Sequence, residues 1–242
     1  MLAPATREAP LFGLVLCGGE SQRMGSDKAL LPLEGRSLLE RAIACLEPVC
    51  EEVWLGSGPS PRYVALGHRE LLDRRKRGSG PLAALEAGLF ELRARGRGGY
   101  LALLACDMPG ASTALVRELA RRAQSEDLDR CALAGERGLE PLCAVYSDAL
   151  LESVRAALDA GDPRMSAIEG FPARHAALPR CATLASADPL VFRNLNTPAE
   201  LEAARAWAPP MHASRAWSSP CSRASRACAR SSRRRSPRAR AR

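Results

Sequence analysis

Two rhythms of apolar and polar residues alternate along this 242-residue chain. LFGLVLC (11–17) and YLALLAC (100–106) are unbroken apolar runs, too short for helices and suited to strands covered on both faces. Glu52–Leu55, Cys131–Ala134 and Pro141–Tyr146 predict further strands. Between these runs the spacing turns helical. Ser37-Leu38-Leu39-Glu40 has the S-x-x-E form of a capping box, so a helix is expected from there to about Glu47, ahead of Pro48. Leu82, Leu85, Leu89 and Leu92 recur at helical spacing within Pro81–Arg95. Further helices are expected near Thr113–Ala123 and over Ser147–Ala160, the latter stopping at Gly161. Thr197-Pro198-Ala199-Glu200 puts Thr at an N-cap, Pro in the first turn and Glu three residues on, so a last helix covers about 198–207. Strands alternating with helices in this way predict an α/β layered structure around a mostly parallel sheet.

Composition changes the picture at Pro209. From there the chain is Arg, Ser, Ala and Pro with few large apolar residues, which cannot offset the entropy of ordering. A domain over 1–208 followed by a disordered tail over 209–242 is therefore expected. Ten of the 35 basic residues are arginines of that tail, where there is no acid; residues 1–208 keep 25 basic against 27 acidic groups, a net of −2. The overall charge of +8 thus belongs to the tail. The body has no nucleic-acid-binding character, and local positive charge must serve any phosphate ligand. The tail is either a solvated extension or an RNA-binding arm. No apolar run approaches the ~18–20 residues of a membrane span, and MLAPATREAPLFGLVLCGG lacks the basic start of a signal peptide. A cytoplasmic protein is expected. Nine cysteines without a single C-x-x-C pair read as small buried hydrophobes rather than as metal ligands or disulfides. His68, His175 and His212 have no evident partners and are expected at the surface.

Candidate chemistry sits where the apolar runs stop. The first run leads into LCGGESQRMGSDKALL (16–31). Glycine adds nothing to a core and weakens regular elements, so this pattern points to a backbone that closely approaches an anion. Backbone N–H groups around Gly18 and Gly19 can form a concave anion site, and Arg23 and Lys28 can add charge-assisted contacts to phosphate oxygens. Neither the G-K-[ST] end of a P-loop nor G-x-G-x-x-G is present. The plain alternative is a glycine-rich turn with solvated charges. In LLACDMPG (103–110), Asp107 ends the most hydrophobic strand, which places a carboxylate at the sheet's C-terminal edge beside the glycine turn. Such a hard ligand suits Mg²⁺, which takes one or two protein carboxylates plus phosphate oxygens; a loop or capping aspartate is the other reading. In FRNLNTPAEL (192–201) an extended backbone would turn Asn194 and Asn196 to one face. Two amides there can bridge a phosphate or a metal-bound water, or can simply cap a helix. RRKR (74–77) is either a solvated loop or one that faces phosphate.

LCGGESQRMGSDKALL resembles the signature of the MobA-like nucleotidyltransferases, L-A-G-G-x-S-x-R-M-G-x-D-K, and within them that of the molybdenum cofactor guanylyltransferases. It departs at Cys17, where the family has alanine. Asp107 falls in a C-D-M-P like that of the family. Asp73 lies seven residues before Gly80, as in the family, although the final glycine of G-P-L-A-G is here Ala84. N-x-N-T-P-x-x-L matches 194–201, and EPLCAVYSDALLESVRAAL (140–158) looks like the family's P-L-x-A-x-Y run, so the resemblance covers Leu11 to about Trp207. It implies a Rossmann-like three-layer sandwich of the nucleotidyltransferase type. It implies transfer of GMP from GTP to the terminal phosphate of Mo-molybdopterin, with release of pyrophosphate and Mg²⁺ as cofactor. GTP would contact Leu16, Cys17, Gly18, Gly19, Lys28, Asp73, Gly80 and Asp107. Arg23, Lys28 and Asp107 would serve catalysis, with Asp107 on the metal; Asn194 and Asn196 would face the acceptor. The carboxylate of Asp73 could accept the N1–H and N2–H₂ edge of guanine. The implied partners are the two substrates and, transiently, proteins of molybdoenzyme maturation, with no membrane and no nucleic acid. A related enzyme using CTP or another nucleotide, with molybdopterin or an alcohol phosphate as acceptor, stays open, as does a nucleotide sensor or an RNA-associated protein working through its tail.

Overall fold

The computed structural model describes residues 9–18, 27–75, 79–136, 138–171, 179–186 and 188–207. Among the described residues, nine strands and five α-helices follow one another as β1 (Leu11–Leu16), β2 (Pro32–Leu33), β3 (Arg36–Ser37), α1 (Leu38–Leu46), β4 (Val53–Gly58), β5 (Arg69–Leu72), α2 (Gly80–Ala94), β6 (Tyr100–Ala105), α3 (Thr113–Ser125), β7 (Arg130–Gly135), β8 (Gly138–Ser147), α4 (Leu151–Asp159), β9 (Cys181–Ala185) and α5 (Pro198–Ala204). Seven strands form one sheet in the order β5-β4-β1-β6-β8-β7-β9, while β2 and β3 make a separate small hairpin. The pairs within β5-β4-β1-β6 and the β7–β9 pair are parallel. Only β8, threaded between β6 and β7, runs antiparallel to its neighbours. The sheet is mostly parallel, as the alternation of elements predicted.

The unbroken apolar runs are explained by helices on both faces. Val15 of β1 and Ala102 and Leu104 of β6 pack with Leu39, Ile43 and Leu46 of α1 and Leu115, Val116 and Leu119 of α3. Phe12 and Leu14 of β1, with Leu101 and Leu103 of β6, pack on the other side with Leu82, Leu85 and Leu89 of α2 and Val154 and Ala157 of α4. Successive residues of a strand face opposite layers, so a strand buried on both sides has no polar position to offer. Both capping boxes form: the Ser37 hydroxyl accepts from Glu40 N–H, and that of Thr197 from Glu200 N–H.

Several elements differ from the expectations. β4 runs on to Gly58 because Gly56 and Gly58 pair with Leu71 and Leu72 of β5. The edge strands β5 and β9 carried no apolar run to announce them; RELL and CATLA are only partly buried. The helix expected from Ser147 opens with a 3-10 turn over Asp148–Leu150, capped by the Ser147 hydroxyl, and becomes α-helical at Leu151. His68 is not a free surface side chain: Nδ1 lies 3.2 Å from the Val53 carbonyl and Nε2 3.8 Å from Glu47. His175, His212 and the 209–242 tail lie outside the described residues.

The seven described cysteines are free thiols, five of them buried. Burial pushes the thiols of Cys45 and Cys131 up to about 12, so they behave as small apolar side chains. Among the described residues no helix is long and apolar enough to cross a membrane.

Candidate active site

Strand order creates the site. After β1 the chain builds β4 and β5 on one side of it, then crosses through α2 to β6 on the other. The C-terminal ends of β1 and β6 therefore flank the point where the winding reverses, the place where open α/β sheets bind ligands. Cys106 N–H donates to Leu16 O at 3.1 Å, which keeps the two strand ends side by side.

The glycine turn begins with a different constraint from the one its sequence suggested. Cys17 and Gly18 N–H both donate to Gly56 O, at 3.1 and 2.8 Å. A Cβ on Gly18 would stand 2.7 Å from Gly58 N and 2.8 Å from the Ser57 carbonyl carbon. Glycine at 18 is thus required by the close approach of β4, and its N–H is engaged with the sheet. That corrects the expectation of an anion held by the Gly18 N–H. Gly19 and Arg23 lie outside the described residues. Cys17, in place of the family's alanine, is buried with Sγ 3.5 Å from Gly56 O, so the extra atom is accommodated inside the sheet.

Three distant segments meet at Lys28. A 3-10 turn over Lys28–Leu30 is capped by Asp27, whose Oδ1 accepts from Ala29 N–H at 3.1 Å. Lys28 Nζ donates to Asp107 Oδ2 at 2.6 Å and to Asn196 Oδ1 at 2.9 Å. Leu195 N–H donates to Asp107 O at 3.0 Å, fastening the asparagine segment to the turn after β6. The capping box of α5 reaches back to the same segment, since Glu200 Oε2 accepts from Asn196 N–H at 2.6 Å as well as from Thr197 N–H at 2.9 Å. Gly110 was not among the predicted site residues, yet a Cβ there would collide with the Leu190 carbonyl. Its signal was the glycine directly after C-D-M-P; what it admits is the segment carrying Asn194 and Asn196.

The site holds polar atoms with nothing to bind. Among the described residues, Asp107 Oδ1, Asn194 Oδ1 and Asp73 Oδ1 are buried oxygens without a hydrogen-bond partner. Such atoms are few in folded proteins and call for a partner such as water, an ion or a ligand. Asp73 follows β5 and is tied by its N–H to Gly58 O at 2.9 Å, which places it beside the Gly18 contact. Burial raises its carboxyl above the ordinary aspartate range. Gly80 opens α2 with φ +60°, a left-handed conformation suited to glycine. Ala84 is buried, and a Cβ on Gly56 would lie 3.3 Å from its own, so this position packs on β4. In RRKR, the Arg74 guanidinium lies over the Phe90 ring at 3.9 Å and Arg75 pairs with Glu86 and Asp159. These two arginines pack on helices; Lys76 and Arg77 lie outside the described residues.

The donor set fits a hard divalent cation. Asp107 offers one free carboxylate oxygen and Asn194 one amide oxygen. Among the described residues no group of three or more His, Cys, Asp or Glu gathers to hold a metal. An ion here would have few protein ligands and would draw the rest from substrate phosphate and water, the pattern of Mg²⁺.

A mostly parallel sheet with a glycine turn and a carboxylate either side of its switch point suits a nucleotide ligand, and the class, a nucleotidyltransferase, is given by the family. The MobA-like NTP transferase domain matches residues 13–176, and the chain belongs to that family. It is 38% identical over 171 residues to a probable molybdenum cofactor guanylyltransferase of Mycobacterium tuberculosis, covering 69% of this chain and 82% of that one. It is 36% identical over 194 residues to the molybdenum cofactor guanylyltransferase of Cereibacter sphaeroides, covering 79% and 93%. Among solved structures it superposes with the molybdopterin-guanine dinucleotide biosynthesis protein A of Archaeoglobus fulgidus at a TM-score of 0.64 and 20% identity, covering 81% of this chain and 97% of that one. At that identity the structural likeness bears on the fold. The family and fold expected from the signature are both found.

Proposed function

We propose that this protein is a molybdenum cofactor guanylyltransferase, moving GMP from GTP onto the terminal phosphate of Mo-molybdopterin. The observation that carries the reading is the meeting of Lys28, Asp107 and Asn196 at the switch point, together with buried oxygens of Asp107, Asn194 and Asp73 that have no partner. The acceptor's phosphate oxygen attacks the α-phosphorus of GTP; a new P–O bond forms, the bond to the β-phosphate bridging oxygen breaks, and pyrophosphate leaves. A phosphate monoester is already ionised near neutral pH, so no strong general base is needed. Catalysis is then positioning and charge neutralisation.

Each role follows from that chemistry. Lys28 gives its ammonium to the triphosphate, turning from Asp107 and Asn196 as the negative oxygens arrive. Arg23 adds a second positive charge, and Leu16, Cys17, Gly18, Gly19 and Gly80 line the nucleotide. Asp73 accepts the N1–H and N2–H₂ edge of guanine, which cytosine lacks; its Oδ1 is buried without a partner, and burial raises its carboxyl. Asn194 and Asn196 face the acceptor. Mg²⁺ is the cofactor of this reading: Asp107 would hold it, and it would neutralise charge on the phosphate oxygens. The domain is the whole of 1–208, working in the cytoplasm on two soluble substrates and handing its product to molybdoenzyme-maturation proteins; the 209–242 tail is dispensable for turnover.

Pyrophosphate release is the test, measured with Mg²⁺, Mo-molybdopterin and GTP, CTP, UTP or ATP in turn. GTP should support turnover and leave GMP attached to the pterin. Equal rates with all four, or a preference for CTP, would overturn the guanylyl assignment.

A further inference from the structure

Tyr63 is a buried residue that no motif singled out. Its side chain is 3% exposed, just ahead of a 3-10 turn over Val64–Leu66. Its hydroxyl stands 3.0 Å from Cys17 O and 3.0 and 3.1 Å from the two carboxylate oxygens of Asp27. All of these are acceptors, so one phenolic proton is shared between the residue just beyond β1 and the residue just before Lys28. Asp27 also accepts from Arg62 Nη2 at 2.7 Å and from Ala29 N–H at 3.1 Å. On its far side the tyrosine is anchored to the sheet: Arg62 and Tyr63 N–H donate to the two carboxylate oxygens of Glu70 on β5, at 2.8 and 2.9 Å. Hydrogen bonds therefore run from β5 through Tyr63 to Asp27, whose capped turn presents Lys28 to Asp107.

We propose that Tyr63 is a positioning residue for Lys28, closing with Asp27 and Arg62 a clasp that sets where the lysine ammonium stands against Asp107. The consequence for catalysis rests on the guanylyltransferase reading; the clasp does not. A lysine side chain is long and flexible, and its charge is placed reproducibly only when its backbone is fixed. Burial, with Cys17 and Asp27 close by, drives the Tyr63 phenol well above its ordinary range, so it stays protonated and able to donate. Its ring fills a buried space, and removing the hydroxyl alone leaves that packing in place.

The experiment uses the full chain as Tyr63→Phe, Lys28→Ala and the double variant. Tyr100→Phe is the control, since its hydroxyl also donates to a buried carbonyl, Ala123 O at 3.2 Å, at the opposite end of β6. Two quantities are read: the rate of reductive methylation of Lys28 without nucleotide, by peptide mass mapping, and kcat/KM for GTP-dependent pyrophosphate release. Tyr63→Phe should raise Lys28 methylation several-fold and lower kcat/KM by about 10- to 100-fold, the scale of a small misplacement of a catalytic group. Lys28→Ala should lower it by about 10²–10³, and adding Tyr63→Phe should then cost little more, because both act through one ammonium. Tyr100→Phe should lower the melting temperature and leave both readings unchanged. Wild-type Lys28 reactivity in Tyr63→Phe overturns the clasp, and so does a full additional loss in the Lys28→Ala background. Faster methylation in a protein whose wild type shows no GTP-dependent turnover upholds the clasp and overturns the guanylyltransferase reading instead. Arg62→Ala, which removes the other grip on Asp27, should act in the same direction and answers the question if Tyr63→Phe fails to fold.

Discussion

Two clusters of charged side chains in this protein are built on opposite plans. Between α2 and α4, the buried Glu86 takes Arg75 Nη2 at 2.8 Å and Nε at 2.9 Å, with Arg155 Nε 3.6 Å away, and Arg75 also reaches Asp159 at 2.5 Å. Both of the glutamate's oxygens are engaged, and the cluster ties one helix to the other. At the end of β6, Asp107 has one oxygen on Lys28 and the other buried without a partner, and Asp73 and Asn194 each leave an oxygen in the same condition. A folded chain that can satisfy Glu86 so fully is able to pair its buried charges. The unpaired oxygens of Asp107, Asp73 and Asn194 are places where a bound group would offset the cost of burial.

That contrast can be broken in three ways. The largest effect is expected from Asp107→Ala: turnover should fall by about 10³-fold or more as the proposed metal ligand is lost, with the melting temperature within a few degrees of wild type. Near-normal turnover in a steady-state assay would remove Asp107 from the metal site. Glu86→Ala should do the reverse. It strands Arg75 beside a single exposed acid and should cost about 2–3 kcal/mol, a little below a fully buried pair because Arg75 is partly solvated. Calorimetry should show a fall of about 4–10 °C, with kcat per folded molecule unchanged; a specific loss of kcat would mean that the two clusters are not separate.

Asp73→Asn is the smallest change in stability and the sharpest in meaning. Burial holds the carboxyl above its unfolded value, so its ionised form weighs against the native state at neutral pH, and the penalty vanishes once the group is protonated. The variant should therefore melt slightly higher than wild type at pH 7, and the difference should shrink to nothing as pH falls through the raised carboxyl value and below the ordinary one. The same variant should lose its preference for GTP over CTP in pyrophosphate release. A lower melting temperature at pH 7 would show that Asp73 has a structural partner after all.

Much of the fold was legible because it depends on neighbours in the chain. The two capping boxes, the helical leucine spacing from Leu82 to Leu92 and the runs of β1 and β6 are each decided within a few residues. The edge strands β5 and β9 escaped, since a strand half open to solvent needs no apolar run. In the site, the residue types could be read but not always what they touch. Two glycines announce a close approach without saying to what, and for Gly18 the neighbour is the backbone of β4. Tyr63 and Gly110 act through contacts tens of residues away; Gly110 at least follows C-D-M-P directly, whereas nothing in the immediate sequence of Tyr63 marks it.

The order of residues by itself determined most of the strands and helices, the edge strands β5 and β9 excepted, and that carboxylate, lysine and amides fall at their ends. Those outcomes follow from local hydrogen bonding and from which faces must be covered. Only the tertiary structure decided that Lys28 meets Asp107 and Asn196, 79 and 168 residues further along. The same alternation of elements can be wound into sheets of different strand order, and it is the strand order that determines which ends become neighbours and which buried oxygens are left without a partner.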